Sequence, residues 1–212
     1  MTIALFAVGG YLCGSMPFGY WLVRATKGVD IRTVGSGNIG AANVWRTYGR
    51  AYGLPVMVLD ILKGFAPAFA ATVVDGHLTG VVAGAAAMLG HWRPIFLGFA
   101  KGGKMVATAG GAFFGVAPLV GAAGTALWLL VFVTTRYVSL ASMVSACTLP
   151  LLAYAFGYPW PVIAFGAAAG IGVVVLHRAN IRRLASGTES RATLRLRRGS
   201  TAPAAPSSAR TR

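Results

Sequence analysis

Three short polar stretches interrupt an otherwise apolar chain, and each sets cations, hydroxyls or amides beside glycines. The first is VDIRTVGSGNIGAANVWR, from Val29 to Arg46. The second runs from GHWRP at Gly90 to KGGKMVAT, ending at Thr108; the third is HRANIRRLASGTES, His177 to Ser190. Within the first, GSGNIG (Gly35 to Gly40) matches the dinucleotide-binding pattern G-x-G-x-x-G letter for letter, with Asp60 about where a ribose-binding acid would stand. That pattern needs a strand before it, a packed helix after it, and a second strand carrying the acid. DIRTV resembles a short strand, but LPVMVLDILKGFAPAFAATVV, which holds Asp60, reads as a membrane span. The dinucleotide reading therefore falls. Two readings of GSGNIG stay open: a turn whose glycines permit a tight backbone, or an anion site at the start of a helix expected over 38–48. In the second, Ser36 and Asn38 are the hydrogen-bonders and Arg46 stands at the helix's far end.

In KGGK, Lys101 and Lys104 flank Gly102 and Gly103 directly before a helix expected to start near Met105. This is not a Walker A loop, which needs G-x-x-x-x-G-K-[ST]. It is either a basic loop dictated by topology or a cradle in which two glycines let a phosphate approach the backbone. In the third stretch His177 and Asn180 lie three apart, on one helical face with Leu184, while Arg178 and Arg182 share another. His177 is then either a hydrogen-bonded interfacial histidine or a catalytic group. Glu189 is the only acid after Asp75, and burial in a salt bridge or ordering of the tail is its expected part. Asp60 and Lys63, three apart in an apolar segment, should pair with each other. No metal site is expected, since His77, His91 and His177 are scattered and carboxylates are few.

The elements that must carry these groups are membrane helices. Of 212 residues 56% are hydrophobic and only 11% charged, less than half the roughly 25% of soluble domains; mean hydropathy is +0.68. Apolar runs recur at lengths that cross a core about 30 Å thick, and 29 glycines suit helices that must approach closely in lipid. The first segment has no basic n-region and is not read as a cleavable signal peptide. Cys13 and Cys147 lie in different apolar segments and read as small lipid-buried side chains. A formal net charge of +15 resides in the gaps between spans and in the tail. That placement favours anionic headgroups and anionic substrates over nucleic acid.

Clear spans fall near 2–24, 52–74, 78–98, 137–156 and 161–177. The 31 residues from 105 to 135 would measure about 46 Å as one helix, and Pro118 interrupts them. Arg24, Lys27, Arg32, Arg46 and Arg50 place the first gap in the cytoplasm by the positive-inside rule. Two crossings between 105 and 135, the first short or tilted, then return Arg136 and the arginine-rich tail to the same side. The expected fold is all-α: a polytopic integral membrane protein of about seven transmembrane helices, N-terminus outside and C-terminus cytoplasmic. Residues 1–184 form the membrane domain and 185–212 a basic tail, disordered beyond Arg198, with Arg191 to Arg198 against anionic headgroups. All three polar stretches then meet the cytoplasmic surface.

Together GSMPFGYWL, GVDIRTVGSGNIGAANVWR, GH–PIF, KGGK–VAT and HRANIRRLASGTE resemble, in that order over residues 10–190, the PlsY family of acyl-phosphate:glycerol-3-phosphate acyltransferases. The resemblance implies a bacterial inner-membrane enzyme whose site opens to the cytoplasm. It moves a fatty acyl group from acyl phosphate to the 1-hydroxyl of glycerol 3-phosphate, without metal or cofactor, giving lysophosphatidic acid and inorganic phosphate. Carried over residue by residue, the site falls on Ser36, Asn38, Arg46, Lys104, His177, Asn180 and Glu189, with Gly102 and Gly103 in the phosphate loop. The expected chemistry has His177, oriented by Asn180, position or deprotonate the hydroxyl. Lys104 and the Gly102–Gly103 amides hold the departing phosphate, Arg46 binds a substrate phosphate, and Ser36 fixes the glycerol. Asn38, Lys101 and Glu189 complete the substrate-binding set. The chain departs from the family pattern at Met105, where Gly is usual, at Ala42 and at Arg93. The rival reading is a transporter of an anionic metabolite or lipid, since transporters also aim helix ends at anions. It would require inverted repeats and polar stretches on alternating faces, whereas these gather on one.

Overall fold

The computed structural model describes residues 1–192 of the chain; the tail expected to be disordered beyond Arg198 lies outside them. The described residues are helical, without strands, as apolar segments must be where no water is available to satisfy backbone amides and carbonyls. The helices are α1 (Thr2–Gly14), α2 (Phe18–Lys27), α3 (Ala41–Tyr48), α4 (Arg50–Trp92), α5 (Val106–Val116), α6 (Pro118–Thr135), α7 (Val138–Ala155), α8 (Trp160–Leu176) and α9 (Arg178–Ala185). Four helical stretches are long and apolar enough to cross a bilayer: Thr2–Lys27, Arg50–Leu97, Pro118–Thr135 and Val138–Ala155. A fifth is added if α8 and α9, bent by 61° at His177, form one broken span. Outward-facing Leu5, Leu62, Leu129, Val133, Leu151 and Ile171 are exposed, as side chains against lipid would be.

Although continuous by hydrogen bonding, α4 is two arms. At Asp75 and Gly76 the backbone leaves the helical region, and Gly76 takes φ +81°, a conformation glycine adopts without steric cost. The arms fold back on each other, Gly80 of the second lying so close to Thr72 and Ala68 of the first that no Cβ would fit. α1 packs on the second arm by the same device, Gly10 and Gly14 against the backbone of Ala83 and Ala87. On the first arm, α5 closes through Gly64, Gly111 and Gly115. Small residues thus supply the close backbone contact that drives helix association in lipid. Phe113 of α5 stacks on Phe165 of α8 at 4.7 Å, centring the core on this group. The chain breaks again between Ala117 and Pro118, and α5 with its 11 residues rises only about 16 Å.

The helix expected over 38–48 starts later, at Ala41, because Gly35 and Gly37 take positive φ and keep the preceding residues in a loop. Nor does one helix run through the third polar stretch: His177 stands at the bend between α8 and α9. The tail read as beginning at 185 is packed as far as Ala192, whose amide donates to the Arg136 carbonyl (2.8 Å). Arg191 there donates to the Tyr137 hydroxyl at 3.0 Å and stacks on its ring.

Candidate active site

Asn43, the third residue of α3, organises the GSGNIG loop. Its Oδ1 accepts the Ser36 amide (2.8 Å), and its Nδ2 donates to the carbonyls of Val34 (3.1 Å) and Asn38 (2.9 Å). A loop held by one buried side chain leaves its own outer atoms free, and Ser36 is exposed on it. Asn38 faces inward. Its Oδ1 accepts the Gly40 amide (2.8 Å) and its Nδ2 donates to the Gly102 carbonyl (3.2 Å), pinning the first polar stretch to the second.

KGGK forms a strap laid over the end of α4. The Gly102 amide donates to the Trp92 carbonyl and the Gly103 amide to the His91 carbonyl, each at 2.9 Å. This corrects the expected phosphate role of those two amides, because both are already spent on the protein. The glycines serve packing instead: a Cβ on Gly103 would collide with the His91 ring, and one on Gly102 with the His91 carbonyl. Met105, which caps α5, takes φ +66°. A left-handed conformation costs an L-residue about 1–2 kcal/mol, which is a physical reason for the glycine usual there in the family it resembles.

From the strap, Lys104 reaches the third stretch. Its Nζ donates to Asn180 Oδ1 at 2.5 Å, and Asn180 Nδ2 donates to Glu189 Oε1 at 2.6 Å. Ser139 Oγ also donates to Oε1, and Arg183 Nε to Oε2, both at 2.6 Å. With both oxygens occupied, buried Glu189 is a brace between α7, α9 and the strap's lysine rather than the substrate ligand expected. Burial works to raise its pKa, but the bonds from Ser139, Asn180 and Arg183 outweigh it and hold the carboxyl below its ordinary value. Burial also pushes Lys104 down to about 8, with Arg183, Arg46 and Lys101 acting the same way against Glu189. A lysine amid three other cations is poised for an anion: a phosphate would relieve their mutual repulsion.

His177 is buried, and its Nδ1 lies 2.8 Å from the Val173 carbonyl. A carbonyl only accepts, so Nδ1 carries the proton and the neutral ring keeps its lone pair on Nε2. Val173, not Asn180, therefore orients the imidazole, correcting the expected pairing; the Asn180 side chain is committed to Lys104 and Glu189. Arg46 is exposed on α3, with its Nε on the Ala42 carbonyl (3.1 Å). Lys101 lines an open cleft of about 470 Å³ with Asp30, Arg32, Thr33, Gly37 and Ala100.

Bonds thus join Asn38, Gly102, Lys104, Asn180 and Glu189, with Arg46 and Lys101 within electrostatic range of Lys104. Ser36 enters through its backbone amide, not through a side-chain bond to that group. Sequence reasoning missed Asn43, Arg183 and Ser139. The first could have been found as a second asparagine at the start of a short helix. Arg183 was hidden among three arginines, and Ser139, fifty positions from Glu189, gave no signal.

Fold and site define an integral membrane protein, helical throughout the described residues, with a cluster of cations around Lys104. The family model described as glycerol-3-phosphate acyltransferase matches residues 4–187. The chain is 46% identical to the glycerol-3-phosphate acyltransferase of Aquifex aeolicus (strain VF5), over 90% of this chain and 100% of that one. It is 43% identical to that of Synechococcus sp. (strain JA-3-3Ab), over 90% and 94%. A crystal structure of PlsY, an integral membrane glycerol 3-phosphate acyltransferase in its glycerol 3-phosphate form, superposes with a TM-score of 0.87 at 42% identity, covering 91% of this chain and 96% of that one. Its lysophosphatidic acid form gives 0.84 at 41%, covering 90% and 95%. The chain belongs to the glycerol-3-phosphate acyltransferase family and is an acyltransferase of phospholipid synthesis.

Proposed function

We propose that the protein transfers a fatty acyl group from acyl phosphate to the 1-hydroxyl of glycerol 3-phosphate in a bacterial cell membrane, with its site facing the cytoplasm. The observation that carries this is the bonded chain from Asn38 through the strap to Lys104, Asn180 and Glu189, which gathers three distant polar stretches around one half-buried lysine. Seven crossings follow when the two arms of α4 and the short α5 each count as one. The N-terminus then lies outside, and the basic gaps share the cytoplasmic side.

The donor is a mixed anhydride with a good leaving group, so neither an enzyme nucleophile nor a metal is needed. The glycerol oxygen attacks the acyl carbon and its proton passes to His177 Nε2. As the bond from the acyl carbon to the phosphate oxygen breaks, Lys104 holds the phosphate and the negative charge it gains. Arg46 binds a substrate phosphate as a charge-assisted partner, Ser36 contacts the glycerol, and Lys101 draws anions into the cleft. Asn38 and Glu189 keep the lysine in place.

The test gives purified protein glycerol 3-phosphate with either palmitoyl phosphate or palmitoyl-CoA. Lysophosphatidic acid from the acyl phosphate alone is expected; product from the CoA ester alone would overturn the donor assignment. The pH profile offers a second check. With its pKa lowered to about 8, Lys104 is charged below that pH and loses its proton above it. Affinity for the acyl phosphate, and with it kcat/KM for that donor, should fall as pH rises through about 8. In Lys104→Arg, which stays charged, that fall should vanish even though the absolute rate drops.

A further inference from the structure

A buried charged cluster lies under the strap, and the chemistry above does not use it. Asp60 and Lys63, on the first arm of α4, pair at 2.8 Å with side chains only 3% and 2% exposed. Lys63 also donates to the Met16 carbonyl (2.8 Å), at the break between α1 and α2. His91, buried on the second arm, has its Nδ1 3.8 Å from Asp60 Oδ1 and without a hydrogen-bond partner. The other edge of the ring lies against Gly103, while the His91 carbonyl holds the Gly103 amide. The residue next along is Lys104.

Ionisable groups inside a membrane bundle are costly and are kept where they do something. A buried pair is also a poor way to gain stability, because apolar replacements often match it. We infer that Asp60, Lys63 and His91 form a platform that positions the KGGK strap, so that His91 acts on the reaction through Lys104. The platform ties the α1–α2 break and both arms of α4 to the strap, and so fixes the height at which Lys104 meets Asn180. His91 is a positioning residue: the strap lies between it and the reacting atoms. Gly103 is required because only a residue without Cβ lets the strap rest on the ring.

The catalytic part of this inference rests on the acyl transfer proposed above; the structural part does not. His91→Ala should speed amide hydrogen exchange in peptides covering 98–106 by at least tenfold, with exchange in α7 and α8 unchanged. It should lower turnover about tenfold in the wild-type background and less than twofold further in Lys104→Met, since residues acting through one another are not additive. If His91→Ala does not yield folded protein, His91→Gln, which keeps a polar group near Asp60, should shift both readouts in the same direction. Unchanged strap exchange in a folded variant would overturn the platform, as would full additivity with Lys104→Met. A rise spread over every helix would assign His91 to general stability and overturn it equally. Failure of the wild-type protein to acylate glycerol 3-phosphate would remove the catalytic part, and strap exchange would still decide the rest.

Discussion

His177→Ala should lower turnover roughly 10²- to 10⁴-fold, the range of a positioned general base, while the helix bundle stays folded. The Val173 carbonyl that holds Nδ1 also accepts the His177 backbone amide at 3.0 Å, so removing the ring does not leave that carbonyl without a partner. What disappears is the Nε2 lone pair, whose availability follows from the proton on Nδ1. Steady-state kinetics with palmitoyl phosphate, alongside thermal unfolding in detergent, separate the two effects. A folded variant with wild-type turnover would rule out His177 as the base. His177→Gln refines the point, since it supplies hydrogen bonds but no nitrogen lone pair that can take a proton. Recovery to near wild-type in that variant would reassign the histidine to orienting the hydroxyl.

Lys104→Met is the second large effect, an expected loss of roughly 10²- to 10³-fold in kcat/KM. That is the scale for removing one preorganised group aimed at developing charge. Methionine keeps the length and apolar stem, so packing around the half-buried side chain changes little and the ammonium is what is lost. Asn180 Oδ1 loses its donor, yet Asn180 stays tied to Glu189 through Nδ2. The brace of Ser139, Asn180 and Arg183 on Glu189 should survive, and stability should fall far less than activity. If instead kcat/KM held within threefold, the departing phosphate must be held elsewhere, with Arg46 or Arg183 as the nearest cations to test.

Much of the molecule was legible because lipid imposes a local rule. A segment that must satisfy its own backbone in an apolar medium declares itself by length and composition, so the helical class, the break at Pro118 and the pairing of Asp60 with Lys63 could all be read from short windows. The gathering of the polar stretches was legible in outline, through charge and glycine content. The roles within them were less so. Gly102 and Gly103 look like a phosphate cradle in sequence, yet their amides face the carbonyls of Trp92 and His91. Asn180 sits three residues from His177 and would orient it on a continuous helix; the bend at His177 sends its side chain to Lys104 and Glu189 instead.

Hydropathy, charge bias and motif order, all properties of neighbouring residues, determined by themselves that this is a helical membrane protein carrying an anion-handling site of a recognisable family. Only the tertiary structure decided which donor meets which acceptor. Asn38 finds Gly102 across 64 positions and Lys104 finds Asn180 across 76, by way of helices whose glycine contacts set their spacing. A hydrogen bond is made or lost within a few tenths of an ångström, and that precision comes from packing the whole bundle, which no local window of sequence contains.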